Sequence, residues 1–420
     1  MSNSNLGIYQ LKCQCNNYPW GKKGSKSLAA RYAATVPGTD FKIDEDINYA
    51  EMWMGTYPTL PSYVLKTGDN LQDVIDKNPE ELVGAKVLKK FGTNLPFLPK
   101  ILSFDKALAL QVHPRKSLAK KLHSEDPDQY TDDNHKPEIA IALSEFEAFV
   151  GFRPLPSIQT LFLSVPTLTT FLPPAYHESS KELDEAGMKA LVKTLLTLPE
   201  PTISRLITTL SSLSLPASPY EHISALAPRL ASQYGATDPG TLLALLTMHY
   251  LVLPPGAAIS IPADGIHAYL SGDIVECMAR SDNVLNTGFC AAEERETDKF
   301  LESVVLEGRE ARENVLEKTS AGAFVKGGGS GEDQERNWVL DPPFTEFSVI
   351  GTSLPPGEKE SYHPIAGPSV LVVSQGGGAM RAGGEEYEFK EGWVYFIGQG
   401  IEIEYEAGGD GLGVYRMFSQ

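Results

Sequence analysis

Two hydrophobic periods share this chain, and the place where one gives way to the other restricts its fold more than any other feature. Over most of its length the apolar residues come in short β-branched or aromatic runs divided by turns. Examples are Ala107-Leu-Ala-Leu-Gln-Val-His113, Ala257-Ala-Ile-Ser-Ile261 and Val394-Tyr-Phe-Ile397. Such runs fit strands of a sandwich or barrel. From about Lys181 to Leu253 the spacing turns helical: Met188, Leu191, Val192 and Leu195 share one face, as do Ile203, Leu206, Ile207 and Leu210. Prolines at 199, 201, 216, 219 and 239 cut this block into several helices. The chain reads as mainly β, with a helical insertion between two β regions.

Gly327-Gly-Gly-Ser-Gly331 and the polar residues after it read as a linker. Beyond it, from Val370 to Met417, glycine pairs and triplets at 376–378, 383–384 and 408–409 mark tight turns between strands. A short echo joins the two β regions. Gly256, Ile261 and His267 have the spacing of Gly392, Ile397 and Ile403, and a Pro-Pro-Gly precedes each set. Taken as a repeat, it gives two related barrels, the second with Ile403 where the first has His267. Metal chemistry then belongs to the first barrel.

With 420 residues, 42% of them hydrophobic, there is length for two or three cores. The formal charge of −18 argues against nucleic acid or an anionic membrane surface as a partner. An anionic small molecule stays open, because a basic pocket can sit inside an acidic surface. Met1-Ser-Asn-Ser-Asn has neither the basic start nor the apolar stretch of a secretory leader. No run of apolar residues reaches membrane-spanning length. Cys13, Cys15, Cys277 and Cys290 are too few for a disulfide framework. A cytoplasmic protein is expected, and a monomer.

Gln111 and His113 lie two apart in a strand-like run, and so face one side. His135, Lys136 and Glu138 precede Ile139-Ala-Ile-Ala142, and His267 and Tyr269 share a face further on. Two imidazoles, a carboxylate and an amide oxygen suit a borderline divalent cation, zinc first. Each histidine taken alone could equally cap a turn or satisfy a core polar group. Three strand segments meeting in a β-rich chain bring the two readings level.

These residues lie in segments that resemble type I phosphomannose isomerase of the cupin superfamily. The segments are Tyr18-Pro-Trp-Gly21, Tyr49-Ala-Glu-Met-Trp-Met-Gly55, Leu95-Pro-Phe-Leu-Pro-Lys100, Leu110-Gln-Val-His-Pro114 and Asp133-Asn-His-Lys-Pro-Glu138. Phe149-Val-Gly-Phe-Arg153, His267-Ala-Tyr-Leu-Ser-Gly-Asp273 and Glu276-Cys-Met-Ala-Arg-Ser-Asp-Asn283 complete them in family order. The resemblance implies two cupin barrels and a helical domain. Residues 1–153 and 251–320 would form the catalytic barrel, 154–250 the helical insertion, and 321–420 a cupin-like domain without metal ligands. It implies one zinc on Gln111, His113, Glu138 and His267. It also implies interconversion of mannose 6-phosphate and fructose 6-phosphate, feeding GDP-mannose synthesis.

For the proton shuttle the expected residues are Lys136 and Asp282, with Glu276 a second candidate and His135 assisting ring opening. The matching family positions make Lys100 a phosphate contact and Trp20, Glu51 and Tyr269 pocket lining. Three departures stand out. Ala109 replaces the family's usual serine, and Asn286-Thr-Gly288 replaces Arg-Ala-Gly, whose arginine is the residue most often named as catalytic. Cys290-Ala-Ala292 replaces Thr-Pro-Lys. Losing such a guanidinium could cost on the order of 10²–10³ in rate. Arg280 is the first candidate to replace it, ahead of Arg295 and Lys299. The departures also motivate a second reading, a catalytically weakened paralogue that binds sugar phosphate. A third, a cupin iron(II) oxygenase, follows from two histidines and one carboxylate, with Gln111 counting against it.

Overall fold

A computed structural model describes residues 7–178, 180–213, 220–326 and 336–420. The glycine-rich linker from Gly327 lies outside them, as do Pro216 and Pro219. Among the described residues most strands fall in two large antiparallel sheets. A run of consecutive helices extends from Leu155–Ser164 to Pro239–Thr247, with other helices such as Leu28–Thr35, Lys116–Glu125 and Thr297–Ser303 beside the sheets. The architecture is therefore the expected one: two barrels and a helical insertion.

The first sheet runs in the order Met248–Leu253, Phe146–Phe152, His267–Ala279, Phe97–Phe104, Glu51–Trp53 and Gln14–Asn16, and curls to include Leu110–Val112, Glu138–Ala142, Ala258–Ile261 and Leu285–Gly288. Its central strands, such as Phe97–Phe104 and Glu138–Ala142, are buried on both faces. The inner face carries Leu102, Phe104, Ala140, Ala142, Ala148, Val150, Ile259 and Ile274. The outer face packs Ile101, Ile139, Ile141, Val275 and Cys277 against Leu11, Val370, Val372, Val394 and Phe396 of the second barrel. Buried on both sides, such strands read as continuous apolar runs, as Glu138–Ala142 does.

His267–Ala279 is the spine of this barrel, and it is not a simple period-two strand. Its pairing with Phe146–Phe152 slips between Tyr269 and Ser271. Gly272 follows with φ of 141°, where a Cβ would press to 2.9 Å from the Glu145 carbonyl. Only glycine fits there. The slip exchanges the two faces. His267 and Tyr269 point inward before it, and Ile274 and Glu276 point inward after it. One strand thereby delivers groups to both ends of one cavity.

The helical block behaves as its spacing predicts. Met188, Leu191, Val192 and Leu195 are buried, as are Ile203, Leu206, Ile207 and Leu210. Asp184 caps Glu185–Leu196 by accepting from Gly187 N–H, and Asp238 caps Pro239–Thr247 by accepting from Thr241 N–H. Every residue of Pro239–Thr247 is buried, because this helix lies between the other helices and the barrel. The block shares one core with Leu110, Val112, Ala268 and Leu270 on the backs of the strands that carry Gln111, His267 and Tyr269. Truncating a leucine here, such as Leu191→Ala, costs about 2–5 kcal/mol.

In the second sheet Ile403–Phe418 and Ser369–Ala382 form the long central pair. The strand Ile8–Lys12, placed in the catalytic barrel from sequence, instead pairs with Val394–Ile397 of this sheet. Its alternation gives a strand but names no partner. The echo has a structural counterpart: Gly256 and Gly392 both have positive φ, at 83° and 85°, just before Ala258–Ile261 and Val394–Ile397.

Candidate active site

His113, Glu138 and His267 offer ligand atoms that all lie within 4.8 Å of one another, and all three are about 1% exposed. His113 Nε2 is 3.1 Å from Glu138 Oε2, and His267 Nε2 is 3.5 Å from Oε1. The far nitrogens are fixed as well. His113 Nδ1 lies 3.1 Å from the Asn283 carbonyl, and His267 Nδ1 lies 3.0 Å from that of Gly265. A neutral imidazole has one N–H for two oxygens, so one lone pair of each ring faces another. Double protonation would resolve this, but burial and the nearby Lys136 charge push His113 down to about 3. His267 is lowered too, burial being the main cause, and its Nε2 has no hydrogen-bond partner.

With each Nδ1–H given to a carbonyl, both bare Nε2 atoms and the carboxylate face one point. A divalent cation there satisfies all three, so the donor set fits zinc. Tyr269 donates to Glu138 Oε1 at 2.6 Å and holds the carboxylate in place. Burial keeps that phenol protonated. Gln111 sits opposite His267 across the strands and lines the same cavity.

The cavity has a volume of about 380 Å³, room for a small polar molecule. His113, Glu138 and Gln111 are on its wall with Trp20, Glu51, Lys100, Lys136, Tyr269, Glu276 and Asp282. Lys100 and Glu276 are cross-strand partners, which places the ammonium 3.5 Å from Glu276 Oε1 and 3.8 Å from Glu51 Oε2. Burial alone would lower the Lys100 pKa, but these carboxylates outweigh it and keep the ammonium charged. Burial raises the Glu276 carboxyl well above the usual range, and the Glu138 charge adds to that. A carboxyl so shifted can exchange a proton near neutrality.

Two expected site residues lie elsewhere. Arg280 sends its guanidinium to Thr56, 3.1 Å to Oγ1 and 3.3 Å to the carbonyl, over the Tyr57 ring, and does not line the cavity. His135 turns outward, its Nε2 2.8 Å from Glu346 Oε1. The next residue, Lys136, lies on the cavity wall in the segment just before Glu138–Ala142. Neither of the other candidates for the missing guanidinium lines the cavity: Arg295 pairs with Asp238 at 2.9 Å, and Lys299 with Glu296 at 2.9 Å.

Several wall residues were not found from sequence. Trp53 donates to Glu51 Oε2 at 2.6 Å and receives the Lys100 ammonium over its ring at 4.5 Å. Its spacing of two from Glu51 was the available signal. Tyr18 stacks on Trp20 with ring centroids 5.3 Å apart. Glu294 reaches the cavity from a separate turn, and no local pattern marks it.

The fold and the site define a metal-dependent cupin enzyme in which one three-residue ligand cluster shares a polar cavity with two lysines. Residues 8–155 match the family model for the catalytic domain of type I phosphomannose isomerase. The mannose-6-phosphate isomerase of Aspergillus fumigatus is 37% identical, covering 96% of this chain and 94% of its own. That of Schizosaccharomyces pombe is 35% identical, covering 98% and 100%. The chain belongs to the mannose-6-phosphate isomerase family. Among solved structures, a zinc-bound mannose 6-phosphate isomerase aligns with a TM-score of 0.79 at 24% identity, over 99% of this chain and 100% of the other. The apo enzyme of Salmonella typhimurium aligns equally well, also at 0.79 and 24%, over 99% of each chain. At that identity the likeness speaks for the fold.

Proposed function

We propose that this chain is a zinc-dependent aldose–ketose isomerase that interconverts mannose 6-phosphate and fructose 6-phosphate through an enediol(ate), supplying GDP-mannose synthesis. The observation that carries the proposal is the cluster of His113, Glu138 and His267, whose His113 and Glu138 line one cavity with Gln111, Lys100 and Lys136. Near-full-length identity to relatives bearing that name supports the substrate.

Gln111, His113, Glu138 and His267 would hold the zinc, which when bound would supply Lewis acidity toward the sugar's oxygens without changing oxidation state. The protein's own groups supply the rest. Isomerisation moves a proton between C2 and C1, so it needs a group that both takes and returns one. Lys136 and Asp282 are assigned that shuttle, with Glu276 the second candidate. Trp20, Glu51 and Tyr269 shape the wall against which the sugar ring lies. Lys100, whose ammonium stays charged on this wall, draws the dianionic phosphate inward.

The enzyme is read as a cytoplasmic monomer. All four cysteines are free, which suits a reducing compartment, and no described helix is long and apolar enough to cross a membrane. A coupled spectrophotometric assay with mannose 6-phosphate, with and without a chelator, tests the function. Turnover that chelation abolishes and zinc restores is expected. Tight binding of substrate to the zinc-loaded protein without turnover would establish the weakened-paralogue reading instead.

A further inference from the structure

The C-terminal barrel contains a buried positive charge with no negative group against it. Arg416 lies on Ile403–Phe418, opposite Ile350 of one neighbouring strand and Leu371 of the other. Both partners belong to the barrel's apolar interior with Tyr362, Phe389 and Tyr405, so the strand carries the guanidinium inward. The residue is 1% exposed. Among the described residues, Nε, Nη1 and Nη2 all lack a hydrogen-bond partner. The groups whose charge reaches Arg416 are the Tyr405 and Tyr362 phenols, not carboxylates.

The Tyr405 hydroxyl beside it is the guanidinium's hydrogen-bonding neighbour, but the two form no well-made bond. Tyr362 gives its proton to Asn337 Oδ1 at 2.6 Å and meets Thr352 Oγ1 at 2.6 Å. Ser369, two residues before Leu371 on the same face, has another unpartnered hydroxyl. Five guanidinium N–H groups thus share a low-dielectric interior in which the Tyr405 hydroxyl is the neighbouring acceptor and, among the described residues, no carboxylate supplies a counter-charge. An unpaired charge there is one of the least favourable arrangements a protein can keep. Water would fill the hydrogen bonds but leave the charge. A small anion answers both.

We propose that the second barrel holds a small monovalent anion of halide size against Arg416 and Tyr405. The interior is closed by Leu371, Phe389 and Tyr362, each at most 2% exposed, which leaves no entry for a phosphosugar. The bound ion neutralises the guanidinium and ties the two central strands of the second sheet together, away from the catalytic cavity.

The full-length protein is crystallised in bromide and melted in chloride, bromide or gluconate at one ionic strength. An anomalous peak within hydrogen-bond distance of the guanidinium is expected, with a saturable rise in Tm of about 2–4 °C in the halides. Arg416→Leu loses both. Should that variant not fold, Tyr405→Phe keeps the charge and shifts the halide midpoint to higher concentration. Ordered water alone at Arg416, with equal melting in all three salts, overturns the proposal. So does a halide effect that Tyr405→Phe leaves unmoved and that gives no peak in the barrel.

Discussion

His135 Nε2 and Glu346 Oε1 stand 2.8 Å apart, joining the segment that carries Lys136 and Glu138 to the C-terminal part of the chain. Glu346 is 6% exposed. Burial alone would raise its carboxyl, but the His135 hydrogen bond and charge prevail and hold it below the ordinary range. A residue expected to assist ring opening is thereby an anchor for its neighbour, Lys136, which faces the cavity.

Weakening that anchor should cost orientation rather than metal. Glu346→Gln is expected to lower kcat by about 3–10-fold, by letting Lys136 drift, with zinc content unchanged. Steady-state kinetics beside metal analysis check this. A proportional loss of zinc would show that the contact holds up the metal ligands instead.

Ligand removal should act to different extents on the metal-free and the metal-loaded protein. His267→Ala removes a lone pair that faces Glu138, so the metal-free protein should melt no lower than expected for a lost buried ring. The rise in Tm on adding zinc should disappear, and activity should fall by at least ~10². Calorimetry with and without zinc reads both effects. Undiminished zinc stabilisation of the variant would place the ion elsewhere.

Asn286 lines the cavity with an unpartnered Oδ1, opposite Gln111. A polar atom left unsatisfied in the resting protein contributes nothing to folding. Asn286→Ala should therefore leave Tm within about 1 °C or raise it, while kcat/KM falls roughly 10-fold, as for a lost hydrogen bond to substrate. Unchanged kcat/KM would remove Asn286 from substrate contact.

Arg280, held by Thr56 and Tyr57, should matter for stability and little for turnover. Arg280→Ala is expected to keep kcat/KM within about 3-fold and to destabilise by about 1–2 kcal/mol, through lost hydrogen bonds and stacking. Urea unfolding and the coupled assay separate the two. A loss near 10²-fold would restore Arg280 to the site.

The acid limb of stability has a visible source at the junction of barrel and helices. Glu147 accepts from Arg229 at 2.7 Å and from the Tyr250 and Ser271 hydroxyls. Burial would raise its pKa, but these bonds outweigh burial and lower it. The folded state therefore binds this proton less readily than the unfolded chain does. The resulting stability is present above the unfolded carboxylate range and is lost as pH falls through the lowered value. Glu147→Gln should cost about 1–2 kcal/mol at pH 7, discounted for partial exposure, and less at pH 3, below the unfolded carboxylate range. Urea melts at the two pH values check the sign. An equal loss at both would mean a packing effect.

Much of this protein is local, and what is local was legible in its sequence. The helical faces of Met188 to Leu195 and Ile203 to Leu210 follow from spacing alone, because a helix repeats within its own turn. The expected ligands Gln111, His113, Glu138 and His267 stood out because each shares a strand-like run with a second polar group, and family motifs surround all four. The inward turn of Lys136 could not be separated from the outward turn of His135, since adjacent residues carry no sign of which side is inside.

What only the tertiary structure decided depends on pairing between distant strands. The register slip near Ser271 and Gly272 sets Glu276 beside Lys100 while Tyr269 lines the same cavity and His267 stays with His113 and Glu138. The strand Ile8–Lys12 closes the far barrel, and Arg416 enters an interior with no counter-charge. A strand's own residues fix its two faces. Which neighbour it bonds to, and which face becomes the inside, is settled only when the sheets close, because those energies belong to contacts between segments hundreds of residues apart.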